Sequence, residues 1–311
     1  MQAIINIVFP VFAIILSGYI CGRFKILGAE SSEALNRFVF YVAMPVLLFH
    51  SMAQLAPHEI FHLSFMLTYG GGQIITFVLA FTVARLIFRQ PLIDGIMRGM
   101  ASAYTNIGYM GLPLVLIAFG ADWAVAAVIA IVLNISVVLV SVITVIEIGQ
   151  SRGNVALDVI KGLLKNPQFL APAAGIAWSF SGLDLPVPVA TFASILGAAA
   201  GPCALFALGL FLVGKPLRQD LKEVSGIVVA KLLLQPLITW LLGLWLLPDE
   251  PMWLTLAVLL SAMPTGTTVF VFARKYNVYV RRASAAVLIS TAISVATLSV
   301  LFLIWSDRIS F

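Results

Sequence analysis

The sequence predicts an all-α polytopic membrane protein, with ten transmembrane helices arranged as two inverted five-helix repeats. Three observations carry this expectation. Of the 311 residues, 61% are hydrophobic and only 10% charged, with a mean hydropathy of +1.08; soluble domains run at roughly 45–50% apolar and about 25% charged. So few charges cannot cover so much apolar surface in water, which excludes a soluble enzyme, a nucleic-acid binder and a disordered chain. Apolar stretches of the length a helix needs to cross a bilayer, about 20 residues, recur along the whole chain. Finally, the basic residues gather in alternate connections between those stretches, as the positive-inside rule requires of a multi-pass protein.

The spans fall near 3–22, 34–53, 63–87, 93–119, 121–147, 167–182, 187–213, 224–247, 252–273 and 283–305. The first has no basic residue ahead of it and no A-x-A cleavage site, so it reads as a retained span and not as a signal peptide. Arg23, Lys25 and Arg37 follow span 1, and Arg85, Arg89 and Arg98 follow span 3. Arg152, Lys161 and Lys165 follow span 5, Lys215, Arg218 and Lys222 follow span 7, and Arg274, Lys275, Arg281 and Arg282 follow span 9. The other connections hold Glu59, Asp122, Asp184, Asp249 and Glu250 and no Lys or Arg; Arg308 alone departs from the pattern. The odd-to-even connections are therefore expected in the cytoplasm and both termini outside, and the formal net charge of +5 is orientation charge, not a nucleic-acid footprint.

The connection at 148–166 contains an amphipathic stretch, Val155 to Leu164, suited to lie along the membrane surface. It divides the chain into halves, 1–150 and 151–311, with five spans each. An odd number of spans reverses the second half, the geometry of an inverted-repeat transporter. The halves also match in place: "AMPVLLF" around Pro45 in span 2 answers "AGPCALF" around Pro202 in span 7. Likewise "SAYTNIGYMGLPL" in span 4 answers "SAMPTGTTVFVF" in span 9.

Spans 4 and 9 hold the candidate site. Asn106, Gly108, Gly111 and Pro113 interrupt the first; Pro264 and Gly266 interrupt the second, among Ser261, Thr265, Thr267 and Thr268. Proline removes an amide donor and clashes with the preceding turn, and glycine admits non-helical dihedrals. Unwound backbone at membrane depth is tolerated where it is buried in protein or lines a wet cavity, and paired interruptions point to a transporter's binding site. A half-helix beginning near Pro113 or Pro264 offers free amides and a positive dipole end, which suits an anion.

The remaining polar residues each have two readings. Lys231 in span 8 either attracts an anionic substrate or anchors helix 8 to the crossover, or it snorkels to the headgroups. Asn134 in span 5 either contacts the ligand or bonds neighbouring helices. Asn106, inside an interruption, contacts ligand or freed backbone. His50, His58 and His62, near the outer end of span 2 and in its following loop, read as solvated histidines or else as a metal or pH-sensing site, and Gly70 to Gly72 as a close helix contact and not a phosphate loop. Cys21 and Cys203 lie in apolar stretches and form neither a disulfide framework nor a metal cluster. No HExxH lies within a span, the one at 58–62 falling in the connection after span 2, and there is no membrane Asp pair and no Ser–His pair at mid-depth, so the sequence specifies no catalytic residues, no metal and no cofactor.

"LNRFVFYVAMPVLLF" (35–49), "TNIGYMGLPL" (105–114) and "MPTGTTVFVFARKYNV" (263–278) resemble the auxin efflux carrier family, in its bacterial organic-acid permease branch. That resemblance, which runs from first span to last, implies a fold similar to bile-acid sodium symporters, with broken helices 4 and 9 crossing at the substrate site. It implies a scaffold domain of helices 1, 2, 6 and 7 and a transport domain of helices 3–5 and 8–10, moving past one another in an elevator-like cycle within a homodimer. The family's crossover asparagine matches Asn106, and its crossover prolines match Pro113 and Pro264. Plant members set an acidic residue in span 3 near a basic one in span 8; here span 3 offers Gln73 opposite Lys231, so a proton switch does not carry over.

Residues and resemblance together lead to one expectation: a secondary transporter of small organic anions, mono- or dicarboxylates or auxin-like aromatic acids, in the bacterial inner membrane. The substrate-binding set is Asn106, Gly108, Pro113, Asn134, Lys231, Pro264, Thr265, Gly266 and Thr267, with Pro45 and Pro202 on the scaffold side of the pocket. The partners are the anion and the lipid bilayer. A sodium-coupled symporter and a ligand-binding sensor on the same fold are the alternatives.

Overall fold

The computed structural model describes residues 8–55, 61–135, 164, 166–214, 220–275 and 277–305. Among them the regular structure is helical, and the one β-type pairing is an isolated antiparallel bridge between Thr105 and Thr265. In chain order the helices are α1 (Phe9–Arg23), α2 (Glu30–Ala53), α3 (Leu63–Leu86), α4 (Leu92–Ala103), α5 (Ile107–Phe119) and α6 (Ala121–Ile135). There follow α7 (Pro167–Ser179), α8 (Val187–Leu212), α9 (Leu221–Leu246), α10 (Pro251–Ser261), α11 (Thr268–Lys275) and α12 (Val280–Ile304). Five of them, α2, α3, α8, α9 and α12, are long and apolar enough to cross a membrane, and α1, α5, α6 and α10 are shorter apolar helices. The stretches expected as spans 4 and 9 are each divided, into α4 and α5 and into α10 and α11. The amphipathic stretch at 155–164 lies outside the described residues apart from Leu164, as does His58.

Proline governs the local geometry of three helices. Pro45, Pro113 and Pro236 each follow a π-helical turn, Val39–Ala43, Ile107–Gly111 and Ala230–Leu234. A proline ring collides with the carbonyl four residues back and leaves it without a donor. The carbonyls concerned belong to Tyr41, Tyr109 and Leu232, inside those wider turns, where the extra residue makes room for the ring.

Packing depends on small residues, because in lipid helices associate through close van der Waals contact. Helix α1 lies along α8: a Cβ on Gly18 would stand 2.1 Å from the Phe206 carbonyl oxygen, and one on Gly209 would stand 2.0 Å from that of Ile15. Helix α2 packs on α7 and α8, and α3 on α4 and α9. The glycine run of α3 serves as the sequence suggests, for a Cβ on Gly72 would fall 2.1 Å from Thr239 Oγ1 of α9. Where α8 meets α5, Gly201 faces the Pro113 ring, with 3.1 Å from an added Cβ to Cγ.

Charged clusters close both ends of the α3–α9 pair. At one end Glu223 is buried and accepts from Gln90 Nε2 at 2.7 Å and from the Tyr279 hydroxyl, with Arg282 Nε at 2.9 Å and Arg98 Nη1 at 3.9 Å as ion-pair partners. Burial first, and then this carboxylate, push the Tyr279 phenol above its ordinary range, so it remains a donor. At the other end His62 corrects the solvated-loop expectation. Its Nδ1 caps α3 by accepting from the Phe65 amide at 3.1 Å, its Nε2 meets Glu250 Oε2 at 2.5 Å, and its ring lies 4.1 Å from that of Trp253. His50 lies within α2, as its place in span 2 implies, but is half-buried and not freely solvated.

Candidate functional site

Helix α4 ends at Ala103, and Tyr104 takes an extended conformation. Helix α10 ends at Ser261, and the chain stays non-helical to Thr267. The two interruptions lie side by side. Asn106 N–H donates to the Pro264 carbonyl at 2.8 Å, and Gly266 N–H to the Tyr104 carbonyl at 3.1 Å, flanking the Thr105–Thr265 bridge. Backbone groups freed by each break are thus satisfied by the other, which resolves the cost of unwound backbone away from water. Gly266 is required by this approach: a Cβ there would lie 2.5 Å from the Tyr104 ring.

The same roles are filled twice, once from each half of the sequence. At the C-terminal end of α4, Gln73 of α3 donates to the Ala103 carbonyl at 3.4 Å. At the C-terminal end of α10, Lys231 of α9 donates to the Ser261 carbonyl at 2.6 Å and to Gln235 Oε1 at 2.6 Å. From α6, Asn134 Nδ2 donates to the Thr105 carbonyl at 2.8 Å, while its oxygen accepts from the Tyr69 hydroxyl and from Gln73. From α12, Ser290 Oγ accepts from the Thr265 amide at 3.0 Å, and Thr265 Oγ1 itself donates to the Ala101 carbonyl at 2.9 Å. Lys231 is fully buried and so does not reach for a headgroup. Its ammonium sits where the carbonyls of α10 gather partial negative charge.

Beyond the bridge lies an open-sided recess of about 410 Å³, its mouth included. Asn106, Gly108, Asn134 and Thr267 of the expected set line it, with Tyr104 and Thr268, whose hydroxyls lie 3.3 Å apart. Phe40 of α2, Gln168 of α7, Tyr109 and Ile131 complete the wall. Asn106 is 4% exposed and its side-chain nitrogen has no partner. Gly108 and Tyr109 lie in the first turn of α5, and Thr267 and Thr268 at the start of α11, where backbone amides precede any intrahelical acceptor. The arrangement offers hydrogen-bond donors from two helix starts and one side-chain amide to the same space.

The other expected residues lie behind this surface. Pro264, Thr265, Gly266 and Lys231 hold the interruptions together, and Pro113 packs on Gly201; with Pro45 and Pro202 they are absent from the recess lining. Tyr104, Tyr109, Phe40, Gln168 and Ser290 were not anticipated. Tyr104 stands beside an interruption and Gln168 is a lone amide at the start of an apolar span, the signals that could have marked them. Among the described residues no group of three or more His, Cys, Asp or Glu is placed to hold a metal ion.

A family model described as "Membrane transport protein" matches residues 3–302. The chain belongs to this family. A Rhizobium meliloti (strain 1021) relative named "Putative malonate transporter" is 36% identical over 314 residues, covering 99% of this chain and 98% of the relative. An "Uncharacterized transporter" of Methanothermobacter thermautotrophicus is 26% identical over 94% of this chain and 95% of its own. The Arabidopsis thaliana "Auxin efflux carrier component 1" is 27% identical over 146 residues, 45% of this chain and 23% of the plant protein. The resemblance to auxin efflux carriers read from the sequence therefore holds, and this membrane transport protein carries its paired interruptions within the matched region.

Proposed function

We propose that the chain is a secondary transporter that moves small organic anions, mono- or dicarboxylates, across the membrane by alternating access, holding its substrate in the recess where the two interruptions meet. One observation carries the reading: the unpaired Asn106 amide and the first-turn amides of α5 and α11 converge on one recess. Converging donors at helix starts favour an anion. The malonate named for the Rhizobium relative is of this class.

The wider expectations follow in the same proposal. The chain forms ten spans in two inverted repeats within a bacterial inner membrane, its odd-to-even connections cytoplasmic. Helices α1, α2, α7 and α8 act as the scaffold of a homodimer, and α3 to α6 with α9 to α12 as the moving body. Phe40 and Gln168 come from the first group and the rest of the recess lining from the second. Displacement of one group along the other would expose the recess to each side in turn.

Uptake of labelled mono- and dicarboxylates by purified protein in liposomes tests this, with and without a pH gradient, a sodium gradient and an imposed voltage. Saturable uptake is expected, and the effective gradient identifies the coupling. Binding without flux would make the protein a sensor on a transporter fold, and no binding of any carboxylate would overturn the substrate class.

A further inference from the structure

We infer that the recess is built for an acid carrying a single negative charge, so that a dicarboxylate is taken with its second carboxyl protonated. The inference rests on the organic-anion reading and narrows it. None of the residues lining the recess carries a formal charge, and its titratable side chains are the phenols of Tyr104 and Tyr109. Charge compensation must come from helix ends and from Lys231 behind them.

Four helix ends meet here. The starts of α5 and α11 face the recess, each equivalent to roughly half a positive charge, and the ends of α4 and α10 carry roughly half a negative charge each. These contributions cancel. What remains is at most one positive charge, on Lys231, held by the Ser261 carbonyl and Gln235. The crossover as a whole therefore balances no more than one anionic charge, and a second would stand uncompensated in a medium of low dielectric, where a carboxylate takes up a proton instead.

The hydrogen-bonding inventory agrees. The unpaired Asn106 nitrogen and the first-turn amides only donate, which suits a carboxylate. Thr267, Thr268 and Gln168 supply acceptor oxygens as well as donors, which a protonated carboxyl needs and a carboxylate does not. Phe40 and Ile131 leave the rest of the wall apolar.

The test pairs each dicarboxylate with its half-amide, malonate with malonamate and succinate with succinamate, in competition binding to the purified full-length protein between pH 5 and pH 8. A half-amide stays a monoanion throughout, so it reports any titration of the protein itself. The expected result is a level affinity for the half-amide and, for its parent, a loss of about tenfold per pH unit above the second ionisation. Gln168→Lys, which adds a cation to the wall, should shift the ratio towards the dicarboxylate. A parent that binds more tightly than its half-amide at high pH overturns the inference and leaves the organic-anion reading standing. Failure of every acid to bind at any pH overturns the reading beneath it.

Discussion

At the scale of single residues, the proposed site divides the work of meeting an anion between Asn106 and Lys231. Asn106 presents an unpaired amide to the recess, and a hydrogen bond to a charged group contributes about 1.5–3 kcal/mol. Asn106→Ala is accordingly expected to weaken carboxylate binding by roughly tenfold or more without lowering the melting temperature, since no protein partner is lost. An unchanged dissociation constant would remove Asn106 from the site. Lys231 acts at a distance. A unit charge one helix diameter away, at an effective dielectric of about 20, contributes on the order of 1–2 kcal/mol. Lys231→Met keeps the volume and removes the charge, so anion affinity should fall about tenfold while neutral analogues such as the diamide bind as before. Equal losses for both would make Lys231 a structural clamp on α10. Asn106 was legible in the sequence because it stands inside a Gly/Pro interruption. The clamp was legible as one of the readings of Lys231, an anchor of its span to the crossover, but its partner was not: Lys231 is held by a backbone carbonyl, and a carbonyl has no residue signature.

At the scale of helices, the sequence located the interruptions through proline and glycine but not what holds them. The bridge joins residues 160 positions apart, Thr105 and Thr265, and its supports come from α3, α6, α9 and α12, so no local window contains them. Ser290 illustrates this: as one of several small hydroxyls in α12 it reads as neutral filling, and only its bond to the Thr265 amide reveals its part. Close helix contacts were partly legible, since glycines mark where backbones approach, although the partner helix is set by the fold. The α1–α8 contact is the tightest test of this. Gly209→Val would drive side-chain atoms into the Ile15 carbonyl, 2.0 Å from the position of Cβ alone, and neither backbone can retreat without opening the contact. Overpacking of this kind costs about 1–3 kcal/mol or more. The variant is expected to melt several degrees lower in detergent. A melting temperature equal to the parent's would mean the helices are farther apart than the structure has them.

At the scale of the molecule, the proposed cycle requires that the two groups of helices move without the recess falling apart. The bonding pattern favours this division. The buried network around Glu223 ties the α3–α4 connection, α9 and α12 together, and His62 with Glu250 ties the starts of α3 and α10, all within the proposed moving body. Where the proposed groups meet at α8 and α5, Gly201 lies against the Pro113 ring, an added Cβ standing 3.1 Å from Cγ. A seam of glycine against proline holds no hydrogen bond that a sliding motion would have to break. Filling it should therefore arrest the motion and spare the site, because Gly201 and Pro113 lie outside the recess lining. Gly201→Phe is expected to lower flux by about tenfold or more while the dissociation constant for the carboxylate stays within about threefold, as for a step limited by conformational change. Uptake into liposomes and binding to the purified protein, measured on the same preparation, separate the two. Parallel loss of both would place Gly201 against the ligand, and unimpaired flux would mean that the two groups do not slide at this seam.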